Sequence, residues 1–139
     1  MPFLTTPPFR PGLTKEQWNK DMLESTLKYK SDRYHRVIKV PGGFITDYAS
    51  IPRAFQVFIP KVARHRYAAV VHDWLYNKNN PYKGITRAQA DLIFLDAMKD
   101  LGVTAWMRWS MYTAVRTFGW ALYKGGIQNP RTKYKHKRK

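Results

Sequence analysis

Three segments of the chain space their apolar residues three or four positions apart, which is the spacing of an amphipathic α-helix. They cover about residues 62–76, 86–102 and 104–124. The second segment begins with a capping box, in which the side chains of Thr86 and Gln89 each accept a hydrogen bond from the other residue's backbone amide. The first predicted helix has one apolar face for a core, formed by Tyr67, Ala68, Val71, Trp74 and Leu75.

The third predicted helix carries more large apolar side chains than a single face can hold. They crowd several faces of the helix, which ends at two consecutive glycines. We interpret them as core residues rather than as a platform on which nucleic-acid bases stack. The residues are Trp106, Met107, Trp109, Met111, Val115, Phe118, Trp120 and Leu122.

The first third of the chain has weaker patterns. Four prolines within residues 1–13 predict an extended arm, because proline fixes φ and lacks an amide donor. Thr14 and Gln17 form a second capping box, and a thin apolar stripe predicts that this helix continues to about Lys28. Two β-branched segments on either side of the Pro-Gly-Gly sequence at 41–43 predict a β-hairpin, the only strand structure that we expect.

These elements predict a mainly α fold with a small β-hairpin, in the α+β class. We expect one globular domain over residues 14–126, preceded by the arm and followed by a basic tail over residues 127–139, because 139 residues with 44% hydrophobic content can bury a single core. No apolar run approaches the roughly 20 residues that span a bilayer, so we expect no transmembrane segment. The N-terminus lacks the basic-then-apolar order of a signal peptide, so we expect no signal peptide. The absence of cysteine excludes disulfides, thiolate chemistry and cysteine-ligated zinc.

The net charge of +16 predicts an acidic partner, such as nucleic acid, an anionic membrane or an anionic cell-wall polymer. Charge alone does not choose among them. Four of the nine carboxylate side chains lie early, within residues 16–32, five lie centrally, and none follows Asp100. We expect any chemistry that uses a carboxylate within the central group, at about residues 47–100. Six of the last nine residues are basic and are the predicted contacts to an anionic partner: Arg131, Lys133, Lys135, Lys137, Arg138 and Lys139.

A titratable pair, His72 and Asp73, lies inside the first predicted helix. The loop to the next helix has about nine residues, which is short enough to make the two helices antiparallel neighbours. Asp91, near the start of the second helix, can then lie opposite His72 and accept a hydrogen bond. Such a bond fixes the imidazole tautomer and leaves the other ring nitrogen as a base. Tyr76, one turn after His72, lies on the same flank.

Asp73 points about 100° away from His72 around the helix, toward a different neighbour. The segment GFITDYASIPR at the end of the predicted hairpin is the obvious candidate, because its turn offers backbone carbonyls and the Asp47 carboxylate. Together with Asp73, these oxygens would form the kind of site that Ca²⁺ prefers.

Structural interpretations of the same residues stay open. His72 can be bonded by a backbone carbonyl, and Asp73 can pair with one of the many arginines. Asp91 can pair with Arg87 one helical turn earlier, and Asp47 can cap its own turn. A metal-dependent phosphohydrolase of the His-Asp type needs a further carboxylate on a later helix, and the sequence has none there.

Four motifs occur in order within roughly residues 37–120, and they are GFITDYASIPR, AAVVHDWLY, TRAQADLIFLDAMKDLG and MYTAVRTFGW. Taken together they resemble the DUF1353 family, whose members are small proteins found mostly in phages and prophages. The resemblance implies a phage origin. It therefore implies a location in the phage virion or in the infected bacterial host cell, with a role in the particle, in infection or in lysis.

The same motifs are similar to the prokaryotic phospholipase A2 pattern of a calcium turn, an H-D-x-x-Y helix and a second helix with an aspartate. This resemblance implies a general base at His72, oriented by Asp91, and a Ca²⁺ ligand at Asp73. It also implies that Asp47 and its neighbouring carbonyls form the calcium turn and that Tyr76 supports the aspartate. A phospholipase A2-like antiparallel helix pair would then carry the site. The chain lacks the disulfides that usually brace this pair, and its turn lacks the extra glycines of the animal calcium loop.

Two functions of different classes follow from these observations. One is Ca²⁺-dependent hydrolysis of phospholipid esters at an anionic membrane surface. The other is a non-enzymatic virion or tail component, whose arm and basic tail contact other phage structural proteins or packaged DNA. A free nucleic-acid binder is a third interpretation, for which a steep salt dependence of affinity would be diagnostic.

Overall fold

The computed structural model describes residues 2–11, 20–46, 65–82, 84–121 and 123. Within these ranges it has five short strands and three α-helices, so it has the predicted α+β class. The strands are β1 (Phe9–Pro11), β2 (Asp21–Leu23), β3 (Leu27–Ser31), β4 (Arg36–Val40) and β5 (Ile45–Thr46). The helices are α1 (Arg66–Tyr76), α2 (Arg87–Asp100) and α3 (Ala105–Phe118), and a 3₁₀ turn over Gly119–Ala121 follows α3.

The three helices agree with the predicted ones in position, although α3 ends at Phe118, before the predicted end near residue 124. Local sequence explains where α2 and α3 begin and where α2 ends. The capping box of Thr86 and Gln89 is present at the start of α2. The side chain of Thr104 accepts a hydrogen bond from the Met107 amide and caps α3. Gly102 follows α2 with φ 86°, where the chain leaves the helix through the left-handed region. Among the described residues, no helix has the length and apolar character needed to cross a bilayer.

Helix α2 packs between α1 and α3, and both contacts are antiparallel. Tyr76, at the end of α1, reaches Asp91 in the second turn of α2. His72, one turn earlier in α1, also contacts Phe94, which is later in α2. The first turn of α2 likewise reaches carbonyl oxygens near the end of α3. The first half of α2 therefore faces the end of α1 and the end of α3 together.

The predicted helix through Lys28 is wrong for the described part of that segment. Residues 20–31 contain β2 and β3, while residues 12–19, which include Thr14 and Gln17, lie outside the described residues. In β3, buried positions recur at every second residue, which is the period of a strand. This alternation covers only five residues. It is shorter than the apolar stripe of helical spacing that predicts a helix from Thr14 to about Lys28.

A small antiparallel hairpin is present, formed by β3 and β4, but the predicted pairing is wrong, because the Pro-Gly-Gly turn joins strands of two different sheets. β4 pairs antiparallel with β3, and β5 pairs with β2, whose other edge pairs with β1. The turn itself is present, with the Phe44 amide donating to the Pro41 carbonyl oxygen. Gly43 has φ 90°, and a Cβ at Gly42 would lie 2.8 Å from Cα of Ser25, so the chain crosses between sheets where only glycine fits. The strand partners lie upstream, in the segment that was predicted to be a helix.

Residues 2–11 are extended and pack onto the rest of the domain. Phe3 is 4% exposed and forms an isolated antiparallel bridge with Tyr29 of β3. The rings of the two residues lie 4.6 Å apart, so the arm contributes to the hydrophobic core. The boundaries between arm, domain and tail stay predictions, because residues 12–19 and 124–139 lie outside the described part of the chain.

Four aromatic side chains that were predicted for the core are exposed instead. Helix α3 packs chiefly against α2, so one of its faces is covered and the opposite face is left to solvent. Met111 and Val115 are buried on the covered face as predicted, Met107 is half-buried, and Leu122 lies outside the described residues. The exposed side chains on the uncovered side are Trp106, Trp109 and Trp120, and Phe118 is exposed at the last residue of α3, on the flank of Val115.

Candidate functional site

A histidine, an aspartate and a tyrosine meet between α1 and α2. His72 Nε2 lies 2.7 Å from Asp91 Oδ1, and the Tyr76 hydroxyl donates to the same oxygen at 2.6 Å. His72 and Tyr76 are four positions apart, so they share one flank of α1, and the antiparallel packing places Asp91 opposite both. The predicted hydrogen bond is therefore present, while the catalytic roles of the three residues stay predictions.

The imidazole of His72 is held in one orientation by packing as well as by hydrogen bonding. The side chain is 0% exposed, and its ring centroid lies 4.2 Å from that of Tyr76 and 4.5 Å from that of Phe94. An ionised carboxylate only accepts hydrogen bonds, so Nε2 of a neutral imidazole must carry the proton that points at Asp91. The second nitrogen, Nδ1, is then the basic one.

Two arginines bind the other carboxylate oxygen of Asp91. Arg116, near the end of α3, donates to Oδ2 at 2.8 Å, and Arg87 in the first turn of α2 lies 3.5 Å from the same oxygen. The sequence offered Arg87 as an alternative partner, but it gave no indication of Arg116 beyond a charged residue in the apolar segment TAVRTF. Asp91 thus connects all three described helices. We name His72, Tyr76, Arg87, Asp91 and Arg116 the Asp91 network.

The Asp91 network keeps its carboxylate ionised. Burial by itself raises the pKa of Asp91, but the hydrogen bonds from His72, Tyr76 and Arg116 outweigh burial and hold that pKa below its ordinary value. The pKa of Tyr76 is raised, first because its hydroxyl is buried and second because the charge of Asp91 opposes a phenolate. At neutral pH the site therefore contains a carboxylate and a neutral phenol.

The 3₁₀ turn after α3 closes against the tyrosine. A Cβ at Gly119 would lie 2.4 Å from the Tyr76 hydroxyl and 3.2 Å from a guanidinium nitrogen of Arg87, so a larger residue does not fit without a shift. Tyr123 packs edge-on against Tyr76, with ring centroids 5.1 Å apart, and donates to the Ile85 carbonyl oxygen. The sequence gives no signal for this role of Gly119, because a glycine at a helix end is also an ordinary stop signal.

Asp73 lies on a different side of α1, next to the end of β5. The Thr46 hydroxyl donates a hydrogen bond to Asp73 Oδ2. This contact confirms the predicted proximity of Asp73 to the GFITDYASIPR segment. Asp47 follows Thr46 directly in the sequence but lies outside the described residues, so its role as a metal ligand stays a prediction.

The described residues do not by themselves complete a calcium site. They contain no group of three or more His, Cys, Asp or Glu side chains arranged to hold a metal ion. At Asp73 they offer one carboxylate and the Thr46 hydroxyl, whereas Ca²⁺ takes about six to eight oxygen ligands. Further ligands would have to come from outside the described part of the chain, where the predicted ligand Asp47 lies. The basic tail residues, Arg131, Lys133, Lys135, Lys137, Arg138 and Lys139, also lie outside the described part of the chain.

Fold and site together define a small α+β domain in which an antiparallel helix pair buries a histidine–carboxylate–tyrosine network. The chain belongs to the DUF1353 family, because the model of this family, described as a protein of unknown function (DUF1353), matches residues 22–115. The match includes His72, Tyr76 and Asp91 and ends one residue before Arg116. Neither the comparison with curated proteins nor that with solved structures found a match.

Proposed function

We propose that this protein hydrolyses phospholipid esters by a phospholipase A2-like mechanism. The observation that carries the proposal is the 2.7 Å contact between His72 Nε2 and Asp91 Oδ1 across an antiparallel helix pair. A histidine oriented in this way can act as a general base through its second nitrogen. Tyr76 supports the arrangement, because its hydroxyl binds the same carboxylate oxygen and helps to hold Asp91 in place.

The proposed reaction is the attack of water on the ester carbonyl carbon. Nδ1 of His72 takes a proton from the water as the new carbon–oxygen bond forms. The imidazolium then returns a proton to the alkoxide that leaves, which restores the neutral histidine. The carboxylate of Asp91 orients the ring and stabilises the imidazolium, and Arg116 keeps that carboxylate ionised.

Asp73 is the residue that would hold a Ca²⁺ ion, together with Asp47 and carbonyl oxygens of the same turn. When bound, the ion supplies positive charge that polarises the ester carbonyl and stabilises the developing oxyanion. Two features support this assignment. Asp73 directly follows the proposed base in the sequence, and it is bound by Thr46, the residue before Asp47.

An anionic phospholipid surface is the proposed partner, and a phage is the proposed origin. The support for the membrane is the net charge of +16, which attracts the protein to negatively charged headgroups. The support for the phage is the resemblance of the four sequence motifs. In this setting the protein acts in the virion or in the infected host cell, during infection or lysis.

The burial of the Asp91 network favours a second candidate, a non-enzymatic virion or tail component. His72 and Asp91 are both 0% exposed, and Asp91 has hydrogen-bond partners on both oxygens. In this candidate the network ties the helices together and performs no chemistry. The arm and the basic tail then contact neighbouring subunits or nucleic acid.

Calcium binding and hydrolysis, measured on the same samples, separate the two candidates. Titration calorimetry measures Ca²⁺ binding, and fatty-acid release from anionic phospholipid vesicles measures hydrolysis. His72→Asn removes the proposed base and should lower release by about 10²- to 10⁴-fold. Asp73→Asn should abolish both Ca²⁺ binding and release.

Two exposed residues supply matched controls. His35→Asn is the same substitution at an exposed histidine, whose φ of 55° also suits asparagine. Asp32→Asn neutralises an exposed carboxylate. Both controls should release fatty acid at the wild-type rate, and near-UV circular dichroism checks the fold of every variant. A folded wild-type protein that neither binds Ca²⁺ nor releases fatty acid would refute the hydrolase and leave the structural candidate.

A further inference from the structure

A cluster of exposed aromatic side chains lies on α3 and the 3₁₀ turn that follows it. We name it the aromatic face, and it consists of Trp106, Trp109 and Trp120, which are 71, 52 and 71% exposed. Phe118 is also exposed, but it follows the buried Ala114 and Val115 by four and three positions and so lies on the opposite flank of the helix. Among the described residues, the other exposed large apolar side chains are Leu4 and Val37, which belong to separate segments. Exposed aromatics gathered within 15 consecutive residues mark an interaction surface.

Two of the hydroxyl side chains between these aromatics, those of Ser110 and Thr117, have hydrogen-bond partners within the helix. The Ser110 hydroxyl donates to the carbonyl oxygen of Trp106, and the Thr117 hydroxyl donates to that of Thr113, both at 2.8 Å. Because these hydroxyls already have backbone partners, they need no water. These two positions of α3 can therefore enter surroundings that offer few hydrogen bonds.

The charge of this part of the chain selects an anionic partner. Residues 101–139 contain nine lysines and arginines and no aspartate or glutamate, and seven of the nine lie in residues 124–139, outside the described part of the chain. Anionic lipid headgroups complement this charge. Tryptophan also favours the interfacial zone of a bilayer, where its ring is withdrawn from water while its N–H stays near the headgroups.

The arginines of α3 argue against a nucleic-acid groove on this face. Such grooves place cations among the aromatic residues, where they contact the phosphates between stacked bases. Here Arg108 donates to the Val103 carbonyl oxygen, and Arg116 donates to the buried Asp91. Both arginines of α3 thus donate to partners within the fold rather than to a ligand between the aromatic side chains.

We propose that the aromatic face docks this protein onto an anionic phospholipid bilayer, with α3 lying along the membrane interface. The choice of phospholipid rests on the proposed function, and the proposal names the surface through which that hydrolase reaches its substrate. The test measures binding without hydrolysis, so the two proposals can fail separately.

The test is co-sedimentation with vesicles of ether-linked phosphatidylglycerol and phosphatidylcholine, whose chains an esterase cannot release. The wild-type protein should bind these vesicles and should bind vesicles of phosphatidylcholine alone more weakly. The double variant Trp106→Gln/Trp120→Gln removes two side chains that are 71% exposed, so it should still fold. Its affinity for the vesicles should be lower than that of the wild type by a factor of roughly ten or more. Leu4→Gln changes a 51% exposed apolar residue of the arm and should bind as the wild type does.

Several results would overturn this proposal. Equal vesicle binding by the wild type and the double variant would assign the attraction to basic charge alone. A folded wild-type protein that does not bind the vesicles would refute docking outright. A wild-type dimer and a monomeric double variant in ultracentrifugation, with no vesicle binding, would make the face an interface between copies. Single-stranded DNA binding that the double variant loses, again without vesicle binding, would assign the face to nucleic acid.

The two proposals are separated by comparing vesicle binding with fatty-acid release. Binding through the aromatic face without any release from ester-linked lipids supports docking and refutes the hydrolase. If the protein releases fatty acid from ester-linked lipids but substituting Trp106 and Trp120 does not change its membrane binding, docking is refuted and the hydrolase proposal stands.

Discussion

Asp91 of α2 has no exposed surface and lies where α2 contacts both α1 and α3, yet its carboxyl is ionised. It keeps its charge because His72 and Tyr76 bind one oxygen while Arg87 and Arg116 approach the other. A buried charge that loses a partner costs more free energy than the lost hydrogen bond contributed, since the remaining charge is left without water. The stability of the domain should therefore be sensitive to each donor of this network.

Arg116→Met should lower the free energy of unfolding by about 2 kcal/mol. Removing one partner of a fully buried ion pair costs about 3–5 kcal/mol, but the Arg116 side chain is 34% exposed and Arg87 stays nearby, so the loss is smaller. Urea denaturation measures the difference. The control is Arg33→Met, which removes a solvent-exposed pair with Asp96 and should cost less than about 1 kcal/mol. Equal losses in the two variants would contradict the prediction.

The lowered pKa of Asp91 predicts a loss of stability in acid. The folded state holds this pKa below the ordinary value of 3.8, so the contribution of the ionised form is complete above about pH 5. It is lost as the pH falls from about 4 toward the folded pKa. Asp91→Asn should be less stable than the wild type at neutral pH, and its unfolding free energy should fall less steeply below about pH 4. Parallel pH profiles of the two proteins, measured by urea denaturation, would show that Asp91 is not responsible.

At the scale of elements, helices and strands depend on different parts of the sequence. The capping box of Thr86 and Gln89 and the glycine after α2 act within a few residues, so they could be identified without knowing the fold. The strands β2 to β5 are two to five residues long and are stabilised by partners elsewhere in the chain. Their alternation was therefore too short to decide against a helix.

Gly119→Ala should destabilise the contact between the 3₁₀ turn and α1. The new Cβ would lie 2.4 Å from the Tyr76 hydroxyl, so the turn or the tyrosine must move, at a cost of about 1–3 kcal/mol. Gly84→Ala is the control, because its Cβ would meet Arg36 at an ordinary 3.6 Å and should change stability by less than about 0.5 kcal/mol. Thermal unfolding followed by near-UV circular dichroism compares them, and an unchanged melting curve for Gly119→Ala would count against the close approach.

At the scale of the whole molecule, contacts far apart in sequence complete the core. Phe3 packs on Tyr29, and the Tyr67 hydroxyl of α1 donates to the Pro7 carbonyl oxygen. Tyr29 in turn donates to Asp100 at the end of α2. The extended residues 2–11 therefore contact a sheet and a helix, and their removal should affect the whole fold.

Phe3→Ala should lower the free energy of unfolding by about 3 kcal/mol, because truncating a buried phenylalanine leaves a cavity. The neighbouring Leu4 is 51% exposed, so Leu4→Ala should cost less than about 0.5 kcal/mol. Urea denaturation of the two variants checks the difference. Similar values for both would mean that the arm does not belong to the cooperative core.

The core of the candidate site could be predicted from spacing, and its remainder could not. His72 and Tyr76 share a helix flank by simple periodicity, and a short loop made Asp91 an antiparallel neighbour. Arg116 comes from α3, 25 residues after Asp91, and no local pattern indicates that contact. The role of Gly119 could not be predicted from a local pattern either, because it depends on a close approach to Tyr76 in another helix.

The sequence by itself determined the three helices, the caps of α2 and α3 and the side chains on one flank of α1, because these depend on interactions over three to four residues. The tertiary structure alone decided which strands pair, which arginine completes the Asp91 network, and which face of α3 stays exposed. An apolar side chain is drawn to any surface that excludes water, so its chemistry does not say whether that surface is the core of its own fold or a partner. The tryptophans of α3 were predicted to be in the core for this reason, and only the packing of α3 against α2 showed that they face outward.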